Sequence, residues 1–226
     1  MSTTFIVLIY ISCLIASYLI GSIPNGILIG KLVKNVDVRH YGSHNSGGTN
    51  VARVLGYKYG TITIILDALK IVVPFWLANI FLPMINGFEN YVPHLVYLMM
   101  IMACIGHCFP IYCKFQGGKA VATFLGCIVA TNYILVPIYV GVFLIIMWKT
   151  KHVSLGSIVT SLLVTTLSII ALGLNVPTLG LWPHLAYSFM YPIALIINTT
   201  LLIFRHTLNI HRLLANKESE IDIFKR

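Results

Sequence analysis

The apolar run Ala120–Trp148, AVATFLGCIVATNYILVPIYVGVFLIIMW, decides how this chain is threaded. As one straight helix it would measure about 43 Å, against a hydrocarbon layer of about 30 Å. Lys114 and Lys119 precede it, and Lys149 and Lys151 follow it. Positive residues collect on one side of a membrane, so both pairs belong on the same side. The run must then cross an even number of times. Two short helices are predicted, 120–132 and 136–148, turning between Thr131 and Pro137, where Asn132 and Pro137 supply turn chemistry. Each is short for a span, so a thinned bilayer or burial among other helices is needed.

The rest of the chain fits the same frame. Its 226 residues are 58% hydrophobic and only 9% charged. An ordinary globular surface uses roughly 25% charged residues, so this chain must meet lipid. Further spans are predicted at 5–29, 59–82, 94–113, 154–174 and 185–204. Pro24, flanked by Gly21 and Gly26, should kink or break the first. With no basic n-region and no small-residue cleavage site, that segment reads as a retained helix rather than a signal peptide.

The fold class is therefore an all-α polytopic membrane protein with seven transmembrane helices. The N terminus lies outside and the C terminus in the cytoplasm, and residues 1–226 form one integral-membrane domain. Fourteen of the fifteen Lys and Arg then face the cytoplasm, and the fifteenth, Lys70, lies within a helix beside Asp67. That pair reads as a buried ion pair. The loops 83–93 and 175–184 carry no Lys or Arg. The excess of nine positive charges is explained by this one-sidedness, so no nucleic-acid partner is expected. Cys13, Cys104, Cys108, Cys113 and Cys127 lie in or beside apolar runs and read as small hydrophobes, not a disulfide frame.

Three polar segments fall on the cytoplasmic side. The first runs from Gly42 through Ser43, Asn45, Thr49 and Asn50 to Arg53. Glycines let backbone N–H groups approach an anion, and Arg53 offers a fork suited to phosphate. It reads equally as a flexible, helix-capping linker. The second holds Gly106-His107 and then Gly117-Gly118-Lys119, which opens an apolar helix. A helix start beside a lysine attracts anions, although a tight turn with an anchoring lysine fits too. The spacing is not that of a nucleotide P-loop. The third, Arg205-His206 to Asn209 and Arg212, reads alone as an interfacial helix with snorkelling arginines. If it is helical, His206, Asn209 and Leu213 share a face.

Absences narrow the chemistry. Outside the tail, only Asp37 and Asp67 offer carboxylates near the cytoplasmic side, too few for a two-metal phosphotransfer site. There is no His-x4-Asp dyad, no HExxH and no GxSxG. No metal or cofactor is expected. Cations, amides, hydroxyls and histidines suit a phosphate-bearing substrate. The alternative is a small polytopic transporter of a phosphorylated anion. Against it stand the lack of an internal repeat and the scarcity of polar residues at helix midplanes.

Together the three segments resemble the bacterial acyl-phosphate:glycerol-3-phosphate acyltransferase family. They match GSxNxGxTNxxR (Gly42–Arg53), GHxFPxxxxFxGGK followed by VAT (Gly106–Thr123) and RHxxNIxRL (Arg205–Leu213). Gly21-Ser-Ile-Pro24 and Ser154-Leu155-x-Ser157 are similar to the family as well. The resemblance implies seven membrane helices and a site on the cytoplasmic face of the bacterial inner membrane. It implies transfer of a fatty acyl group from acyl phosphate to the first hydroxyl of glycerol 3-phosphate, giving lysophosphatidate and phosphate. This is the first acylation of phospholipid synthesis, with membrane lipid around the enzyme and a functional link to an enzyme that makes acyl phosphate.

By the same resemblance, Ser43, Lys119 and His206 are the expected catalytic residues. Arg53, Asn209, Asn45, Thr49, Asn50, Gly117, Gly118, His107 and Arg212 are expected to bind substrate. The base is His206, His107 or the substrate's own phosphate, and the missing His–carboxylate dyad favours the last. Departures from the family are His44, Ala120 and Asn216 where glycine is usual, Gly48 for alanine, and Ile71 for glycine.

Overall fold

The computed structural model describes residues 1–177, 182–185 and 188–221. All regular structure among them is helical: α1 (Thr3–Gly21), α2 (Asn25–Lys34), α3 (Gly48–Leu55), α4 (Tyr57–Phe81), α5 (Val92–Cys108), α6 (Val121–Thr131), α7 (Leu135–Thr150), α8 (Val153–Gly173), α9 (Met190–Arg205) and α10 (Thr207–Leu214). Four segments are long and apolar enough to cross a membrane: Thr3–Lys34, Tyr57–Met84, Glu89–Cys113 and Val153–Gly173. The pair α9 and α10, bent by 59°, makes a fifth if it counts as one span.

The run that decides the threading is two helices, α6 and α7, separated at Asn132–Ile134. Asn132 Oδ1 accepts the Ile134 and Leu135 amides and so starts α7. The lengths are unequal. α7 has sixteen residues, whereas α6 has eleven and reaches only about 16 Å. Most of α6 is buried, including Phe124, Cys127 and Ile128. Its ends at Ala120 and Thr131 are buried within protein.

Prolines set the other boundaries. The first run is broken rather than merely kinked: Pro24 separates α1 from α2, and α2 continues to Lys34 instead of stopping at residue 29. The third run extends to Cys113 as expected, but its α-helix stops at Cys108, because Pro110 follows and residues 111–113 form a separate 3-10 turn. The last helix starts at Met190 rather than residue 185. The Pro192 ring would clash with the carbonyl of Ser188 if the helix ran back through it. The expected outer loop, 175–184, lies partly outside the described residues. α3 lies in a stretch read from sequence as a loop, since only eight residues opened by glycine carry it.

The packing is that of a protein in lipid. α1 exposes Phe5, Leu8, Ile11, Ile15 and Leu19, and buries Ser17 and Gly21. Small residues bring backbones together there, since no hydrophobic force favours large residues inside over outside. A Cβ at Gly21 would strike the Ala103 backbone of α5, and one at Gly106 of α5 would strike the Tyr18 backbone of α1. Gly126 allows the same close approach of α6 to α4 at Ala68. Phe75, Leu95, Tyr97, Phe124 and Leu195 fill the space between α4, α5, α6 and α9. This rigid centre holds the ends of the helices around one cavity.

Candidate active site

A cavity of about 200 Å³ is lined by the loop before α3, α3 itself, the N-terminal parts of α4, α6 and α8, the C-terminal part of α5, α7, the α9–α10 junction and residues Glu218 and Ser219. Ser43, Asn45, Thr49, Asn50, Arg53, His107, Lys119, His206 and Asn209 all border it. The three polar segments therefore converge although they are far apart in sequence. Gly117, Gly118 and Arg212 do not border this cavity. Arg212 is exposed on α10.

The first loop is organised by Asn50. Its side-chain Nδ2 donates to the carbonyls of Val38, Tyr41 and Asn45 at 2.8–3.1 Å, and its Oδ1 accepts the Ser43 amide at 2.7 Å. With all these groups engaged, Asn50 shapes the loop and leaves Ser43, Thr49 and Arg53 to face the cavity. Asn45 Oδ1 similarly accepts the Gly47 amide, closing a tight turn.

In the Gly117-Gly118 turn, read from sequence as part of a helix-start anion site, the glycines are engaged within the protein. The Gly118 N–H donates to the His107 carbonyl at 3.0 Å, so it is not available to an anion. Both carbonyls are clamped by Arg205, Nε on Gly118 and Nη2 on Gly117, each at 3.0 Å. Neither glycine has positive φ. What the turn needs is space: a Cβ on Gly118 would collide with the His107 ring, and one on Gly117 with the His107 carbonyl. Among the described residues, the Lys119 and Ala120 amides have no acceptor, and they lead directly into α6. The anion-attracting N–H groups thus lie one step later than the glycines.

Lys119 Nζ donates to Asn209 Oδ1 at 2.6 Å, and Asn209 Nδ2 donates to Glu218 Oε1 at 2.6 Å. Ser154 Oγ donates to the same carboxylate oxygen at 2.8 Å. Arg53 Nη2 meets Ser219 at 3.0 Å. Burial pushes the Lys119 ammonium down to about 8, opposed by Glu218 and reinforced by Arg212, Arg205 and Arg53. Arg205, Ser154 and Glu218 were not singled out as site residues from sequence. Arg205 sits inside a quoted motif, but Glu218 lies in a polar tail whose return to the cavity no local pattern announces.

The two histidines have defined partners. His206 Nδ1 is 2.8 Å from the Leu202 carbonyl, so it carries the proton and leaves the Nε2 lone pair free. His107 Nδ1 is 2.8 Å from Lys70 Nζ. Lys70 also meets Asp67 Oδ1 at 2.9 Å and the Ile23 carbonyl at 3.2 Å. The Asp67–Lys70 pair is therefore the buried ion pair expected from sequence, and it reaches a histidine of the site. Asp37 is held by Arg39 at 2.7 Å, away from the cavity.

Three departures noted in the sequence share a backbone feature. His44, Ala120 and Asn216 have φ of 55°, 61° and 52°, the left-handed region where glycine is at ease. Gly48 lets α3 approach α4 at Gly60 and Ile64.

Comparison with known proteins agrees with this arrangement. Residues 11–216 match the sequence model of the glycerol-3-phosphate acyltransferase family. The chain is 38% identical to the glycerol-3-phosphate acyltransferase of Acholeplasma laidlawii, with 93% of this chain and 92% of that one covered. It is 35% identical to that of Bacillus subtilis (strain 168), with 92% and 95% covered. Its fold superposes on the crystal structure of PlsY (YgiH), an integral membrane glycerol 3-phosphate acyltransferase in its glycerol 3-phosphate form. The TM-score is 0.79 and the identity 31%, covering 96% of this chain and 99% of that one. The lysophosphatidic acid form of PlsY gives a TM-score of 0.76. Three converging motifs, a cavity they build together and relatives matched over nearly their whole length lead to one conclusion: the chain belongs to the glycerol-3-phosphate acyltransferase family.

Proposed function

We propose that the chain transfers a fatty acyl group from acyl phosphate to the sn-1 hydroxyl of glycerol 3-phosphate, giving lysophosphatidate and inorganic phosphate. The observation that carries this reading is the mixed lining of the cavity: Arg53, Lys119, His206 and Asn209 border it together with the apolar Ile64, Val121, Leu125, Val140 and Phe143. A phosphate-bearing polar acceptor suits the cations and amides, and an acyl chain suits the apolar side chains. The relatives' name and the two bound forms of PlsY support the same acceptor and product.

Acyl phosphate is a mixed anhydride. The glycerol oxygen attacks the acyl carbon, the bond from that carbon to the phosphate oxygen breaks, and phosphate leaves with the electron pair. Because the second pKa of a phosphate is about 6, its departure needs little acid help. The protein's task is alignment, anion neutralisation and stabilisation of the charge on the carbonyl oxygen. Ser43, Arg53, Lys119 and Asn209 hold the acceptor's phosphate. His206 Nε2 accepts a hydrogen bond from the acceptor's glycerol hydroxyls. The hydroxyl proton passes to a substrate phosphate, a route favoured because His206 is backed by a carbonyl rather than a carboxylate. Lys119 N–H, Ala120 N–H and the start of α6 face the donor phosphate.

Seven crossings with the site on the cytoplasmic face complete the proposal. The one-sided Lys and Arg distribution and the gathering of alternate helix ends at the cavity support it. The test is a transfer assay on purified protein in lipid, with EDTA present. Glycerol 3-phosphate is supplied with palmitoyl phosphate, then separately with palmitoyl-CoA. Lysophosphatidate from acyl phosphate alone is expected. Product from acyl-CoA alone overturns the donor, and no product from folded protein moves the reading to an anion transporter.

A further inference from the structure

We propose that His107 is a hydrogen-bond donor to the acyl carbonyl oxygen of the donor substrate, and that Lys70 and Asp67 are positioning residues that fix its donor tautomer. The inference rests on the acyl-phosphate reading above and names a further catalytic residue within it.

The argument is one of donors and acceptors. An ammonium has three N–H donors and no acceptor. Those of Lys70 have three partners: Asp67 Oδ1 at 2.9 Å, the Ile23 carbonyl at 3.2 Å and His107 Nδ1 at 2.8 Å. Nδ1 must therefore accept, and the ring proton of a neutral imidazole sits on Nε2. The carboxylate keeps the lysine charged, and Asn25 Nδ2 holds the carboxylate at 3.0 Å. Asp67 is 3.7 Å from Nδ1, beyond hydrogen-bond range, so no carboxylate hydrogen-bonds that nitrogen.

The other ring nitrogen, Nε2, lies beside the Gly117-Gly118 turn. His107 borders the cavity described above, and its Nε2 makes no hydrogen bond among the described residues. The ring lies against Gly118, where any side chain would collide with Nε2. It is locked from both ends: Lys70 behind, and the turn that leads into Lys119 in front. Ile23 lies at the break before Pro24, so the α1–α2 break also supplies a ligand to this network. A rigid donor beside the anion-binding helix start is what a developing carbonyl oxyanion requires.

The test combines spectroscopy and a kinetic cycle on the full chain in lipid. With ¹⁵N-labelled histidine, the His107 signals are assigned by their loss in His107→Gln. A protonated Nε2 and bare Nδ1 are expected in the wild type, and a protonated Nδ1 overturns the proposal. In the acyl-phosphate assay, His107→Gln retains an N–H donor and should stay within about tenfold of wild type, whereas His107→Ala should fall about a hundredfold. Equal loss in both would make His107 an acid or base and overturn its donor role. The pair Asp67→Asn/Lys70→Met removes both charges together. It should lower kcat about tenfold in the wild type and less than about threefold further in the His107→Gln background, because an amide has no tautomer to fix. Equal cost in both backgrounds would make the network merely structural and overturn the positioning role. If the paired variant does not fold, the ¹⁵N measurement on the wild type still decides the tautomer. Wild-type protein inactive with acyl phosphate would instead defeat the reading of the reaction, leaving that measurement to stand separately.

Discussion

His107 and His206 border one cavity, and each uses Nδ1 in a hydrogen bond of 2.8 Å, yet the bonds run in opposite directions. Behind His107 stands a donor, the Lys70 ammonium, on a buried face of α4. Behind His206 stands an acceptor, the Leu202 carbonyl, one turn back on α9. One ring is left with a proton on Nε2 and the other with a lone pair. The same side chain thus serves opposite roles because of what lies on its far side from the cavity. The second difference is in mounting. His107 is held by Lys70 of α4, itself bonded to Ile23 at the α1–α2 break, and by the Gly117-Gly118 turn, whereas His206 sits at the bend between α9 and α10.

The largest expected effects strike the cations that border the same cavity. Lys119→Ala and Arg53→Ala should each lower transfer about a thousandfold while leaving folded protein, measured by turnover beside a thermal unfolding profile. If both variants keep near-normal turnover, the cavity is not the acceptor site. Next, Gly118→Ala tests the His107 side alone. The added methyl displaces the ring, and transfer should fall about a hundredfold, with a changed His107 ¹⁵N signal and unchanged His206 signals. Changes at both histidines would mean that the two environments are not separable.

A pH series sharpens the shared part. Lys119, pushed down to about 8, is charged below that pH and loses its charge as pH rises through it. KM for glycerol 3-phosphate should therefore climb between about pH 8 and 10, and Lys119→Arg should flatten the climb. A climb that persists in Lys119→Arg assigns it to another group. The smallest effects concern backbone alone. Ala120→Gly should raise stability by less than about 1 kcal/mol, because relief of the left-handed φ is partly offset by removal of a buried methyl group. Asn216→Gly should change it by only a few tenths, since asparagine tolerates that region. Thermal unfolding in one detergent checks both, and a clear drop in stability for Ala120→Gly would show that packing of the methyl group dominates.

Sequence by itself determined the class of molecule and the three polar segments that border the cavity. Charge scarcity, run lengths and the placement of lysines follow from burial in lipid, which acts on each segment separately. For that reason the helix break near Asn132 and the three polar segments were legible. Prolines are legible too: Pro24 breaks the first run as its sequence position implies, while Pro110 ends the α-helix inside its run and Pro192 delays the start of α9 to Met190. Convergence of the segments, the clamp of Arg205 on the glycine turn and the return of Glu218 to Asn209 belong to tertiary structure alone. So does the reason for the glycines, which is collision with a histidine from another element rather than backbone freedom. The direction of each histidine's hydrogen bond is decided there as well. A ring's proton goes where its neighbours in space are donors or acceptors, and Lys70 lies 37 positions from His107 in the chain.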